Sequence, residues 1–353
     1  MADLTLDDVK ANLLVIFKQI AAATLAVGTK GRAILLYKNE GLETSYRLSE
    51  YKSGVISLED ETLEKYIRLI FRGKPKKLIV LEYKTDIASV ATQLGDLVND
   101  FDWIMSADSD AQGDIKTWAI ENKRFAMVYN IEADSRFICS TSNPSAVMVD
   151  DNGNEVSLNA YELMLLIAGL AIGCPYDMSI TYKVFSELKS VEAPEKYKKG
   201  QLILYKEEEG IRLANGDTTL QTTNTNNPED AKSLTVSEGM YRLENDILKG
   251  YRTGYKGKFK NSYNHQKLFY SAVKYGLFKE YERMGILDPN YDNRVDTNIE
   301  RQRNLWLAKG KTEAEEWTDE KVCNNTYKKG VYAKANVKFL DAMEDLEFEV
   351  EMF

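Results

Sequence analysis

The sequence predicts a mixed α/β protein: a layered α/β domain, an α+β region after it, and a closing pair of strands. Three observations carry this. Short apolar runs alternate with amphipathic stretches between Gly31 and Glu192, the order that builds partly parallel sheets covered by helices. Two hairpin-like runs near Tyr205 then precede a series of helical patterns. From Val331 onward, apolar and polar residues alternate with the period of a strand that has one apolar face.

Residues 1–27 start acidic, with Asp3, Asp7 and Asp8, and lead into Leu13-Leu14-Val15-Ile16-Phe17. Leu6, Val9, Leu13 and Ile16 have helical spacing while the later β-branched content favours a strand, so both readings stay open here. Ala33–Tyr37 reads as a strand, Glu61–Phe71 as a helix and Leu78–Leu81 as a strand. Asp86–Val98 reads as a helix capped by Asp86, Trp103–Met105 as a strand, Ile115–Asn122 as a helix and Phe125–Tyr129 as a strand. Val147–Val149 before the Asn152-Gly153 turn marks an edge hairpin, and a buried helix follows over Leu158–Ile172.

A second block starts near Pro194. Leu202–Tyr205 and Ile211–Leu213 flank Glu207–Gly210 as a hairpin, and a polar loop runs from Asn215 to Asp230. Helices are expected over Val236–Leu248, Gln266–Met284 and Asn293–Ala308, with an exposed acidic stretch at Thr312–Lys321. Two amphipathic strands close the chain. Val331, Ala333, Ala335, Val337 and Phe339 alternate with lysines and other polar residues, and Leu346, Phe348, Val350 and Met352 alternate with glutamates.

A length of 353 residues fits about two or three domains, and 44% hydrophobic with 29% charged residues is the composition of a globular chain. A net charge of −9 argues against general nucleic-acid binding, which needs a basic surface. Cys139, Cys174 and Cys323 have no CxxC spacing, so they are expected reduced and buried in a protein made in the cytosol. No secretory signal pattern opens the chain. The uncharged run Leu163–Cys174 is much shorter than the roughly 20 residues that span a bilayer, so no membrane insertion is expected.

Catalysis through imidazole would have to use His265, the one histidine, whose place before a helix reads more simply as a cap or a solvent-facing side chain. No HExxH, GxSxG, GxxxxGK[ST] or GxGxxG motif occurs. Asp108, Asp110 and Asp114 lack the distal glutamate of an EF-hand and read as acids at a helix start. Catalytic, cofactor-binding and metal residues are therefore expected to be none. One feature does stand out. Ile247–Lys279 holds eight Lys or Arg and no acid, with Tyr251, Tyr255, Phe259 and Tyr263 interleaved. An acidic protein partner, a merely solvated face and nucleic acid are the three readings of that run.

A strand with one apolar face exposes unpaired backbone groups and aggregates unless it is covered. Six hydrogen bonds at about 0.5–1.5 kcal/mol each do not outweigh ordering costs of about 1–2 kcal/mol per residue. Burying Leu346, Phe348 and Val350 adds roughly 1.5–3 kcal/mol per side chain, which makes addition to another subunit's sheet feasible. A sheet closed within one chain satisfies the same pattern.

Gly210-Ile211-Arg212-Leu213-Ala214-Asn215-Gly216, Thr218–Thr223, Glu238-Gly239-Met240, Asn245-Asp246-Ile247, Gly257–Tyr263 and the closing strands together resemble the tail sheath proteins of contractile phage tails. The likeness is strongest to the short form found in defective prophages and in phage-tail-like bacteriocins of Gram-positive bacteria. It covers most of residues 200–353 and, more loosely, the α/β region. A Pro-Gly-Val turn frequent in that family is replaced by Ala11-Asn12-Leu13.

The resemblance implies a homo-oligomeric helical sheath of stacked rings around an inner tail tube, with baseplate and terminator proteins as further partners and no direct nucleic-acid contact. It implies a division into an N-terminal linking arm (1–27), an α/β outer domain (28–193), an α+β sheath domain (194–330) and C-terminal linking strands (331–353). Linking is expected from Leu13, Val15, Phe17, Val337, Phe339, Leu346, Phe348 and Val350. Lys249, Arg252, Lys256, Lys258 and Lys260 are expected to face the tube. Assembly into a tail or tail-like particle in the bacterial cytoplasm and release by lysis complete the implication. The rival reading is a soluble α/β enzyme with an unrecognised carboxylate site.

Overall fold

Strand β1 (Arg32–Lys38) is buried on both faces over Ala33–Leu36, as a central strand of a parallel sheet must be. The structure, a computed structural model, describes residues 25, 27–28, 30–225 and 227–352. The described residues form two compact units, one from within 29–238 and 341–353, the other from within 1–28 and 239–340.

In the first unit, β1 is followed by β2 (Tyr46–Tyr51), helix α1 (Glu61–Phe71), β3 (Lys77–Tyr83), α2 (Ala91–Asp96), β4 (Trp103–Met105), α3 (Gln112–Asn122), β5 (Phe125–Tyr129) and β6 (Ile138–Thr141). Next come β7 (Ser145–Val149), β8 (Glu155–Asn159), α4 (Ala160–Gly173), β9 (Leu188–Val191) and β10 (Gln201–Leu202). The main sheet has the order β10-β6-β5-β4-β1-β3-β2. Its pairings are parallel except that of β2 with β3. Val147–Val149 belongs to a hairpin, as its turn residues predict, but β8-β7-β9 forms a sheet of its own.

Local signals explain these elements. Asp60 caps α1 by accepting from the Leu63 N–H at 3.0 Å, and Leu63, Ile67 and Ile70 form its buried stripe. Helix α4 opens with a capping box. Asn159 Oδ1 accepts from the Glu162 N–H at 3.0 Å while Glu162 Oε2 accepts from the Asn159 N–H at 3.1 Å. Asp86 caps a short 3₁₀ turn, Ile87–Val90, which leads into α2. Ile34, Leu36, Ile79, Leu81, Ile104 and Ile115 belong to the core on one face of the sheet, and α1 and α4 pack on each other. That last contact is a backbone approach. A Cβ placed on Gly169 would lie 2.1 Å from the Ile70 carbonyl oxygen, and one on Gly73 would lie 1.9 Å from that of Gly169.

The unit continues through the antiparallel hairpin β11 (Leu204–Lys206) and β12 (Ile211–Leu213), with Leu204 opposite Leu213. A domain boundary at 193/194 does not match the compact units, because β10 pairs with β6 in the main sheet. The chain passes to the second unit along α5 (Leu234–Gly250).

The second unit holds α6 (Tyr263–Ser271), α7 (Lys279–Arg283), β13 (Arg294–Thr297), α8 (Ile299–Leu307), α9 (Asp319–Asn324) and β14 (Ala333–Asn336). Turns of π-helix follow α5 at Tyr251–Tyr255 and separate α6 from α7 at Ala272–Phe278. Asn293–Ala308 is therefore not one helix. Residues 294–297 alternate between exposed and buried as a strand, and Asn298 caps α8 by accepting from the Arg301 N–H at 3.0 Å. β13 pairs antiparallel with β14, with Val295 opposite Ala335.

The α1–α4 approach tolerates no side chain. Gly169→Ala is expected to cost about 1–3 kcal/mol and to lower Tm by roughly 2–4 °C per kcal/mol. Gly113→Ala, where a Cβ meets nothing within 4 Å, is expected to be neutral or to stabilise by up to about 1 kcal/mol. Thermal unfolding followed by circular dichroism checks the pair.

Candidate functional site

The closing strands divide into two different objects. Ala333–Asn336 pairs with β13 of its own chain, and Phe339 continues through a bridge to Leu287. Val337 and Phe339 are half-buried. The Lys338 ammonium is 2.9 Å from Asp288, which holds that carboxyl below its ordinary pKa. Thus the first expected linking strand is paired along one edge within the chain. The second is not.

Residues 341–352 lie in no strand or helix. Leu346 is 86% exposed, Phe348 79% and Val350 67%, with Met343 and Met352 exposed as well. Leu13, Val15 and Phe17 lie outside the described residues.

The root of this tail is tethered through polar contacts. Ser233 Oγ donates to Asp341 at 2.8 Å, and Thr181 Oγ1 donates to Glu344 at 3.1 Å. Beside them sits Asp217, whose pKa is raised, first by burial and then by the charges of Glu344 and Asp341, with Lys232 opposing. Reading along the sequence does not find this cluster, because Asp217 is far from the tail in the chain and no local pattern links them.

The expected tube-facing residues occupy the second unit. Lys249 ends α5, Arg252 lies in the π turn, and Lys256, Lys258 and Lys260 lie in the loop before α6. All five are exposed. None has an ion-pair partner among the described residues, in contrast to Lys274 and Lys279 farther along the run, which face Asp292 and Glu282.

The loop is firmly set. The Lys256 N–H donates to the Tyr251 carbonyl at 2.9 Å, the bond of a π turn. Ser262 caps α6, and the His265 Nδ1–H donates to the Lys260 carbonyl at 2.7 Å. The histidine is thus a positioning side chain in this loop. Asn261 adds a second strand of chain by donating to the Lys328 and Gly330 carbonyls, both at 2.9 Å. The basic surface therefore gains Lys328 and Lys329, which a scan for acid-free windows leaves out because acidic residues 280–320 intervene.

At the carboxyl end of β4, where a doubly wound sheet commonly binds ligands, the acidic loop is internally satisfied. Asp108 accepts from the Tyr83 hydroxyl at 3.0 Å and from the Asp110 N–H at 3.0 Å, and Gln112 donates to the Ser106 and Asp108 carbonyls. Among the described residues, no three His, Cys, Asp or Glu side chains gather as a metal site. Cys139, Cys174 and Cys323 are free and buried. No helix among the described residues is long and apolar enough to cross a membrane.

Residues 226–353 match the family described as phage tail sheath C-terminal domain. A tail sheath protein of Clostridium phage phiCD119 is 25% identical over 364 residues, covering 97% of this chain and 99% of that protein. Among solved structures, a sheath tail protein from Desulfitobacterium hafniense superposes with a TM-score of 0.60 at 12% identity, over 78% of this chain and 91% of that one. One from Listeria innocua gives 0.59 at 12% identity over 80% and 92%. The contracted baseplate of the anti-feeding prophage contains a chain with a TM-score of 0.60 at 11% identity, over 91% and 92%. At such identities the superpositions establish a shared fold.

The raised pKa of Asp217 has a signed consequence. Its protonated form is favoured in the folded state, so this contribution to stability is complete below the ordinary value of 3.8 and is lost as pH rises through the raised one. Asp217→Asn, which mimics the protonated form, is expected to be more stable than the native chain at pH 7, with the difference disappearing below about pH 4. Urea unfolding at the two pH values measures it.

Proposed function

We infer that this chain, a tail sheath protein by its C-terminal domain and by full-length likeness to a phage tail sheath protein, is a structural subunit of a contractile sheath. The exposed apolar tail over Leu346–Met352 carries the reading. A segment whose alternate side chains are apolar, and whose backbone is unpaired in its own chain, is stable only when another surface covers it. Each subunit is then both donor and acceptor. A head-to-tail contact of this kind, unless it closes into a ring, propagates as a helical assembly.

Leu346, Phe348 and Val350 are the linking residues of this reading, and Val337 and Phe339 support the sheet that receives a neighbour. Leu13, Val15 and Phe17 are proposed to do the same work at the other end. The five exposed cations Lys249, Arg252, Lys256, Lys258 and Lys260 form a surface for an acidic inner tube. Complementary charge of this sort sets orientation and encounter rate more than affinity. Baseplate and terminator proteins complete the partners, with assembly in the cytoplasm and release by lysis.

We read the chain as non-enzymatic. Its force comes from an assembled state of higher energy relaxing to one of lower energy, which needs no nucleotide site on the subunit. The satisfied Asp108 loop at the sheet's carboxyl edge accords with that.

Negative-stain electron microscopy of the purified chain should show long hollow cylinders, and uniform monomers or small closed oligomers would sink the sheath reading. Truncation after Leu340 spares the β13–β14 pair and should abolish the cylinders while leaving a folded protein. Lys249→Glu, Arg252→Glu and Lys258→Glu together should prevent assembly on tubes, and the native interaction should weaken with added salt. Unimpaired assembly of the triple variant would refute the tube-facing surface.

A further inference from the structure

The tail's root lies against three elements of the first unit. Ser233, just before α5, donates to Asp341 at 2.8 Å. Thr181, in the 3₁₀ turn Ile180–Tyr182, donates to Glu344 at 3.1 Å. Gly216 is so close that a Cβ placed on it would lie 3.1 Å from Glu344 Oε1. Next along the chain stands Asp217, whose backbone pairs with that of Ser233 in an antiparallel bridge. Its carboxylate is thereby set beside both tethered acids.

That carboxylate is half-buried and accepts no hydrogen bond among the described residues. Glu344, Asp341 and, more weakly, Asp345 face it with like charge from the tail. From β6 it is faced by the Cys139 thiol, which burial first and then the charges of Glu238 and Asp217 keep protonated. Lys232, in the turn Glu229–Lys232, opposes the acids, but its ammonium is 2.6 Å from Glu229. Lys183, two residues after Thr181, faces Glu187 at 3.9 Å. No cation forms an ion pair with Asp217, Asp341 or Glu344 among the described residues, and like charges crowded together without one destabilise the contact that crowds them.

We propose that this contact is a latch on the tail and that Asp217 is its release: the two hydroxyls hold the root on its own chain, and the Asp217 charge pushes it off. The proposal rests on the sheath reading, in which the tail must leave its own chain to reach a neighbour. What the latch controls is reach. With Glu344 held, the linking segment starts at 345. Released, it starts at 341, since the Leu340 N–H is still fixed to the Ile286 carbonyl at 3.0 Å. Four more residues at about 3.3 Å each add roughly 13 Å. An apolar shelf shows what the release prevents. Met178 and Tyr182, both within three residues of Thr181, are 42% and 49% exposed. A root settled beside them brings Leu346 to apolar surface on its own chain and withholds it from a neighbour. The sign with pH follows. Burial, then the charges of Glu344 and Asp341, raises the Asp217 pKa, so the latch holds best below that raised value and loosens as pH rises through it.

A nitroxide attached at Met343→Cys reports on the latch, because Met343 is exposed between the two tethered acids and the native cysteines are free and buried. The label is placed in the full-length chain carrying Phe348→Asp, which keeps copies from linking. At pH 7, Asp217→Asn should raise the immobilised fraction about two- to fivefold, the size of one partly exposed charge pair. Lys232→Met, which removes the opposing charge, should lower it, and so should Thr181→Val. The opposed directions of Asp217→Asn and Lys232→Met separate an electrostatic release from a general loss of fold. Lowering the pH to about 4 should immobilise the label on the native latch and change the Asp217→Asn chain less. Equal mobility with and without Asp217→Asn and Lys232→Met at pH 7 overturns the proposal, as does a pH response that Asp217→Asn leaves intact. Neither result touches the sheath reading, which stands or falls on the cylinders seen by microscopy.

Discussion

A row of apolar side chains left in water by its own chain is the constraint on which the rest depends. Met343, Leu346, Phe348, Val350 and Met352 are exposed together. Covering side chains of this size is worth roughly 1.5–3 kcal/mol each, while ordering the segment costs about 1–2 kcal/mol per residue. The two sums are of similar size, so the tail is marginal alone and becomes favourable when backbone bonds and charge pairs are added. In the proposed assembly, such a contact is remade from subunit to subunit without any single one being irreversible.

In the proposed reading, the second unit supplies the surfaces for that contact. β14 is fixed to β13, and Lys338 ties its far end to Asp288. Asn261 binds the basic loop to the chain before β14. The first unit contributes rigidity: its parallel strands are buried on both faces, and glycines at 73 and 169 let α1 and α4 approach at backbone distance. It also tethers the tail's root through Ser233 and Thr181. Next to that tether, the raised pKa of Asp217 adds a modest dependence on acidity.

Much of the fold was legible from residue order. Glu61–Phe71, Trp103–Met105, Phe125–Tyr129 and Ile211–Leu213 occur where periodicity and capping residues place them. Asn293–Ala308 misled because Arg294–Thr297 is too short for its period of two to stand out beside a real helix. β2 and β6 were not foreseen. β2 is a mostly exposed edge strand without an apolar face, and β6, Ile138–Thr141, is short and half polar although fully buried. Of the candidate site, the basic run and the alternating tail could be read directly, whereas the tether at Asp217 and the lysines at 328 and 329 could not.

Residue order was sufficient for the properties that depend on near neighbours: which segments are helices or strands, where caps fall, where cations accumulate, and that the tail has an apolar face. The resemblance to sheath proteins also belongs there. Whether an amphipathic strand is closed or left open is a different kind of question, because it depends on what lies opposite. Two closing strands with similar patterns have opposite fates, since only the first finds β13 across from it. Likewise Lys256 and Lys328 share a cavity because Asn261 bonds across 69 residues to Gly330, a distance over which no local pattern carries information.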